Sequence, residues 1–229
     1  RFVIVGNVDL NTLKPLVEKY IGSLPTSKKV EYAVVDDGVR FAEGNVVNDF
    51  RTAMQQPKVS VRLVYTGDME YNAKNRLIVD LLSRALDSRY MISIREEKGG
   101  TYGVSVQGGI DEYPVEKYMM AIVFDTNEQL ADELVEICDK EIKKIAEEGP
   151  LADDVAKSKE FLQKNYNNVL ENNGGWMSAI TRWYEEGYNF KEEYLGVLES
   201  VTLDDVKAFA QKMLDDGNRT LVVMRPEAQ

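Results

Sequence analysis

The chain contains no histidine. That absence excludes a Ser-His-Asp triad, a histidine-based zinc site and a histidine general base within these residues. Any catalysis here must rest on carboxylates, lysine, arginine or tyrosine, or on groups from another polypeptide segment. Cysteine occurs once, at Cys138, so no internal disulfide can form. Leu134 and Ile142, at helical spacing on either side, predict that Cys138 is a small buried apolar residue and not a nucleophile. No apolar run approaches the roughly 20 residues a membrane-spanning helix needs. Basic residues are outnumbered, 28 Lys and Arg against 39 Asp and Glu, and the net charge of −11 lacks the basic footprint of a nucleic-acid binder. It equally disfavours docking on an anionic membrane. The acidic excess reads as a solvated surface. No leader peptide is visible. The opening "RFVIVGNVD" reads as the middle of a β-strand, which predicts a fragment of a longer chain, and "VVMRPEAQ" reads as a true carboxy-terminus.

The 229 residues and 44% hydrophobic content are enough for a real core. "FVIVG" predicts a strand closed by Gly6. "DLNTLKPLVEKYIGSLP" then places Leu10, Leu13, Val17, Tyr20 and Ile21 at helical spacing, with Asp9 or Asn11 as cap and Gly22 and Pro25 as stop. Residues 26–38 read as a polar connector. Two strands follow, in "GVRFAEGNVVNDF" and "KVSVRLVYTGD". Next comes a helix over about 71–94, striped by Leu77, Ile78, Leu81, Leu82, Ala85 and Leu86. It stops at Gly99-Gly100, because glycine suits a left-handed helix terminus. Residues 101–110 and "KYMMAIVFDT" predict two antiparallel strands. Thr126 and Gln129 predict a capping box for a helix that ends at Gly149-Pro150. Helices over 152–172, after "ENNGG", and from Thr202 precede a last strand, "RTLVVMRP". Strands paired without intervening helices predict an α+β fold: an antiparallel sheet with helices packed on one face. Residues 1–25 form its opening strand-helix, and residues 26–229 the main α+β domain.

Several motifs carry no chemistry on this reading. "GNVDLNTLKP" lacks the spacing of a dinucleotide fingerprint and the Gly-Lys-Ser/Thr of a P-loop. Adjacent carboxylates such as Glu96-Glu97, Asp153-Asp154 and Asp204-Asp205 diverge by about 100° on a helix and do not converge on one ion. Trp176, Trp183 and Tyr188 can share one helix face, which is usually core; the alternative is part of a peptide-binding wall. Arg95 and Tyr102 remain. An arginine at a helix C-terminus suits the dipole, and Tyr102 shares strand parity with Val104 and Val106, so both have a plain structural explanation. Yet they flank a glycine turn, which can present both at one rim of the sheet. A guanidinium and a phenol there can hydrogen-bond a carbonyl or carboxylate, or stabilise an oxyanion.

"LLSRALDSRYMISIREEKGGTYGVSV" resembles the helix-arginine-glycine-tyrosine segment of the pitrilysin/insulinase family of zinc metallopeptidases. "FVIVGNVDLNTLKPLVEKYIGSLP" and "EEYLGVLESVTLDDVKAFAQKMLDDGNRTLVVMRPE" resemble, in the same order, the strand-helix that opens the family's second type of subdomain and its carboxy-terminal segment. "ENNGGWMSAI" resembles the bacterial pitrilysin-like branch. The resemblance implies the carboxy-terminal, non-metal part of a zinc endopeptidase, periplasmic in a bacterium. Zinc would then be bound outside this chain, by His-x-x-Glu-His on an amino-terminal half that closes with this one around a peptide substrate. Neither nucleic acid nor membrane is implied as a partner. By the same resemblance Arg95 anchors the peptide and Tyr102 stabilises the tetrahedral intermediate. The fold also serves as a non-catalytic peptide-binding or scaffold domain, which the resemblance implies as the alternative.

Overall fold

Strand β2 (Val59–Asp68) sits at the centre of the molecule because both of its faces are apolar enough to be covered. It lies in a five-stranded sheet with β1 (Asn45–Thr52), β3 (Val104–Asp111), β4 (Lys117–Thr126) and β5 (Arg219–Pro226), in the order β1-β5-β2-β4-β3. The computed structural model describes residues 1–25, 35–96, 98, 99, 101 and 103–227. Seven α-helices accompany the sheet among these residues: α1 (Leu10–Tyr20), α2 (Ala73–Tyr90), α3 (Ala131–Glu148), α4 (Ala152–Glu171), α5 (Asn173–Glu186), α6 (Phe190–Ser200) and α7 (Leu203–Asp216).

Alternation dictates which side the helices take. Val59, Val61, Leu63 and Tyr65 point to one face, opposite Thr126, Phe124, Ile122 and Met120 of β4, and all are buried. The apolar stripe of α2, from Leu77 to Leu86, closes over that face together with α3 and α7. Val79 and Ser83 of α2 approach Gly108 of β3 so closely that a Cβ there would lie 2.3 Å from Ser83 Oγ and 2.7 Å from Val79 Cγ1. The glycine is therefore what lets the helix lie down on the strand. On the opposite face Val46, Phe50 and Val123 stay exposed. The expected α+β architecture, helices on one face of the sheet, is present.

Four of the five strands are antiparallel, and the departure is β1, which runs parallel to β5. A parallel pair needs a long crossover, and nearly the whole domain lies between β1 and β5. Arg225 of β5 pins it: its Nε donates to Asp49 of β1 at 2.9 Å and its Nη2 to Asp132 of α3 at 2.5 Å. "FVIVG", expected to be a strand, pairs with nothing among the described residues, since the sheet ends at β1 and β3. The connector residues 26–34 lie outside the described residues. The strand expected over "GVRFAEGNVVNDF" begins only at Asn45.

The capping box expected at Thr126 and Gln129 does not form. Thr126 is the buried last residue of β4, and α3 starts five residues later. Asn127 takes up the turn instead, its Oδ1 accepting the Leu130 N–H at 3.0 Å. The capping box at Thr202 and Asp205 is present, and Asp9 caps α1 through the N–H groups of Asn11 and Thr12. Trp176 and Trp183, seven residues apart in α5, lie on one side of that helix, but Tyr188 falls beyond its end at Gly187, so the three form no single helical stripe. Trp183 is exposed and stacks on Tyr184, Trp176 donates to the Leu170 carbonyl at 2.7 Å, and Tyr188 is buried beneath Arg76.

Candidate functional site

The helix stripe of α2 runs out at Tyr90, and the chain widens there into one π-helical turn, Met91–Glu96, that carries Arg95. Two buried side chains hold this turn. Tyr90 is fully buried and donates its hydroxyl to the Cys138 carbonyl of α3 at 3.0 Å, and Ile94 is 0% exposed in the core. Salt bridges fasten the same stretch to α3: Arg89 to Glu141 at 2.7 Å and Lys98 to Glu133 at 2.5 Å. Arg89 and Glu141 are both largely buried, so removing either partner would strand a charge away from water. Inserted π turns concentrate at functional sites, where they re-aim a side chain.

Anchored on Ile94, the neighbouring Arg95 points to solvent. Its Nη1 donates to the Met91 Sδ at 3.2 Å, one turn back, and no carboxylate pairs with it among the described residues. Most of its five donors are therefore free for an incoming carbonyl or carboxylate. Gly99 then ends the helix with φ of 63° and gives its N–H to the Arg95 carbonyl at 3.1 Å. That left-handed residue is the stop expected from Gly99-Gly100. Beyond it the Thr101 hydroxyl donates to the Gly103 carbonyl at 3.0 Å and accepts the Gly103 N–H at 3.2 Å, closing the turn before β3. Tyr102 and Gly100 lie outside the described residues.

The turn borders a cleft of about 660 Å³, lined by Gly99 and Thr101 on one side and by Pro57, Lys58, Asp125, Thr126 and Asn127 on the other. Arg95 stands beside it, not in its wall. Lys58 precedes β2 and Asp125 is on β4; they form a 2.6 Å ion pair, and Ser60 donates to the same carboxylate at 2.6 Å. Partial burial raises the Asp125 pKa, but the hydrogen bonds from Lys58 and Ser60 outweigh it and hold the carboxyl below its ordinary value. This wall was not legible in the sequence. Lys58 and Asp125 are brought together only by the β2–β4 register, and neither belongs to a motif.

Cys138 is fully buried in α3, and burial first, then the Asp139 charge, push its thiol well above the ordinary value. Burial and the raised pKa both disfavour the thiolate, which is the form that attacks or binds metal. Among the described residues no group of three or more His, Cys, Asp and Glu could hold a metal ion. The described residues therefore do not supply a zinc ligand set.

Residues 1–162 match the family model described as "Peptidase M16 inactive domain". The chain belongs to that family. The zinc protease PQQL-like of Arabidopsis thaliana is 24% identical over 98% of this chain, and the probable zinc protease PqqL of Haemophilus influenzae 19% identical over 98%. The chain spans about a quarter of the length of each, 26% and 24%. Among solved structures, the periplasmic protease PqqL of Escherichia coli superposes with a TM-score of 0.79 at 20% identity, over 97% of this chain and 25% of its own. The ferredoxin protease FusC, solved with Arabidopsis ferredoxin, superposes with a TM-score of 0.78 at 16% identity, over 97% of this chain and 24% of its own. The structural likeness carries the M16 fold to this chain, and the family match bears out the resemblance read from its sequence.

Proposed function

We propose that this M16 domain is the non-metal, carboxy-terminal part of a zinc-dependent endopeptidase, and that it grips the peptide substrate and assists the reacting carbonyl through Arg95 and Tyr102. The observation that carries the proposal is the exposed guanidinium of Arg95, held by Ile94 in the core beside a cleft large enough for a peptide segment. The match to zinc proteases roughly four times as long supports a second half that bears the metal, supplied as zinc ligated outside this chain. Arg95 donates to a peptide carbonyl or carboxylate already present in the ground state. The Tyr102 hydroxyl donates to the oxygen that gains charge as the carbonyl is attacked. The name of the Escherichia coli neighbour supports a periplasmic setting.

Steady-state kinetics on the longer polypeptide that carries both halves tests this. Tyr102→Phe keeps the ring and removes one donor, and is expected to lower kcat by about 10²–10³-fold with little change in KM. Arg95→Ala is expected to raise KM more than it lowers kcat. If instead the domain is a non-catalytic scaffold, both variants keep a normal kcat and KM and differ only in melting temperature. An unchanged kcat for Tyr102→Phe defeats the proposal.

A further inference from the structure

A cavity where α4, α5 and α6 meet stands apart from the Arg95 turn. It measures about 290 Å³ and shares no lining residue with the 660 Å³ cleft. Its floor is aromatic. Tyr166 and Tyr194 stack with ring centres 5.8 Å apart, and Phe190 tilts against them at 5.4 and 4.7 Å. These rings extend a small apolar cluster around Ala179 and Tyr188. The corner is held from several sides. The Tyr166 hydroxyl donates to the Lys191 carbonyl at 2.6 Å and ties α4 to α6. Asn172 Oδ1 accepts the Gly175 N–H at 2.7 Å, where α5 begins. A Cβ on Gly175 would lie 2.7 Å from the Val169 carbonyl carbon, so glycine is what lets α5 fold back this closely on α4. The cavity is therefore built before any ligand arrives.

Its polar groups are few and of one kind. Ser178 and Arg182, four residues apart on α5, both line it, and Arg182 is the one charged residue in its wall among the described residues. Glu186 Oε1 lies 3.8 Å from Arg182 Nε, too far for a hydrogen bond. That carboxylate already accepts the Tyr71 hydroxyl at 2.9 Å and Arg76 at 3.1 Å. Arg182 and Ser178 thus donate no hydrogen bond among the described residues. In a chain of net charge −11, a cavity whose single charge is positive and hydrogen-bonded to nothing selects an anion. One guanidinium beside one hydroxyl matches a single carboxylate. Size narrows the choice further. An apolar cavity of about 150 Å³ holds a benzene, so 290 Å³ takes one ring with a short arm and not a peptide segment.

We propose that this cavity binds a small aromatic carboxylic acid, its ring against Tyr166, Phe190 and Tyr194 and its carboxylate on Arg182 and Ser178. The ring gains burial and offset or edge-on contacts with the aromatic floor. The carboxylate gains charge-assisted hydrogen bonds and decides which rings are admitted. An aromatic alcohol or amide keeps the first contribution and loses most of the second. A short aliphatic acid keeps the second and loses the first. The site does not depend on the peptidase reading above, because none of its residues borders the Arg95 turn.

The test titrates the 229-residue chain with 3-phenylpropionate and follows its amide resonances. Saturable shifts are expected in α4, α5 and α6, with a Kd on the order of 1 mM or below. The neutral 3-phenylpropanamide is expected to bind at the same place about tenfold more weakly, and butanoate to bind more weakly still. Arg182→Gln is expected to bring the acid down to the level of the amide and to leave the amide unchanged. Ser178→Leu, which fills the cavity from an exposed helix position, is expected to abolish both. A melting curve on each variant confirms that it is folded, and if either is not, the comparison of acid with amide on the unaltered chain decides alone. Equal binding of acid and amide, shifts centred outside the three helices, acid binding unchanged in folded Arg182→Gln, or no saturation at millimolar probe overturns the proposal. None of these outcomes alters the kinetic test of Arg95 and Tyr102.

Discussion

Residues 1–5 read RFVIV and residues 219–223 read RTLVV. Each run stands beside a capped amphipathic helix, α1 capped by Asp9 and α7 by Thr202. The local chemistry is nearly the same, and the outcomes differ. RTLVV is a strand inserted between β1 and β2, and α7 buries Val206, Phe209, Ala210 and Met213. RFVIV pairs with no strand among the described residues, and α1 buries nothing. Phe2, Ile4, Leu10, Leu16 and Tyr20 remain exposed, and the segment's nearest partner is α5, where the Arg1 guanidinium sits 4.6 Å from the Tyr184 ring centre. Alternation and periodicity thus specify what a segment can be. Whether it becomes that depends on a neighbour to pair with, which for a strand is an open edge in reach.

The sharpest way to break the comparison is to remove a large side chain from α7. Phe209 is 3% exposed and meets Tyr118 edge-on, ring centres 5.0 Å apart. Phe209→Ala removes that contact and leaves a cavity that β2 and β4 cannot fill, so urea unfolding is expected to show a loss of about 3–5 kcal/mol. A loss below about 0.5 kcal/mol, the range of surface changes, would mean that α7 is held no better than α1.

The caps give a smaller and more specific contrast. Thr202→Ala is expected to cost about 1 kcal/mol in global unfolding, whereas Asp9→Ala should reduce helical signal and leave the unfolding midpoint in place. Acid separates them further. Burial raises the Asp205 pKa, but the Thr202 N–H, Lys74 and the Thr202 hydroxyl together lower it below its ordinary value of 3.8. The Thr12 hydroxyl and the Asn11 N–H lower that of Asp9. A carboxyl depressed in the folded state stabilises fully above its unfolded pKa, and that stabilisation is lost as pH falls through the folded value. Global stability should therefore decline below about pH 4 in a way that Asp205→Asn flattens and Asp9→Asn does not. Equal flattening by both would erase the distinction between the two helices.

How far the sequence reached follows the same division. The stripe from Leu77 to Leu86, the Thr202 cap and the glycine stop after Arg95 were legible because each is a rule within a few residues. RFVIV has the pattern of a strand without forming one, because pairing is a property of two segments and the pattern shows only one. Thr126 has the chemistry of a cap but not its position, because β4 runs on through it and buries it. At the candidate site, Arg95 and its turn were visible, whereas the facing wall of Lys58 and Asp125 was not, since it arises from the register of β2 on β4. The π-helical turn that aims Arg95 has no signature in the spacing of apolar residues, which continues through Ile94.

The smallest expected effect bears most directly on the comparison. α1 has eleven residues, fewer than the roughly 12–15 that an isolated helix needs to be stable in water. Pro15 adds to this by supplying no N–H inside it. Leu13 and Val17 are its only partly covered apolar residues, Ile21 at the cap is covered to the same degree, and none is buried. Val17→Ala should therefore move the unfolding free energy by no more than about 0.5 kcal/mol. Hydrogen exchange reads the cause. Amides of α7 should exchange only through global opening, while those of α1 open locally and exchange far sooner under the same conditions. A fragment lacking residues 1–25 should then melt within a degree or two of the intact chain, about the shift that a few tenths of a kcal/mol produce at this size. Protection of α1 as strong as that of α7 would contradict all three results at once. It would show that α5 holds the amino-terminal segment as firmly as the sheet holds β5.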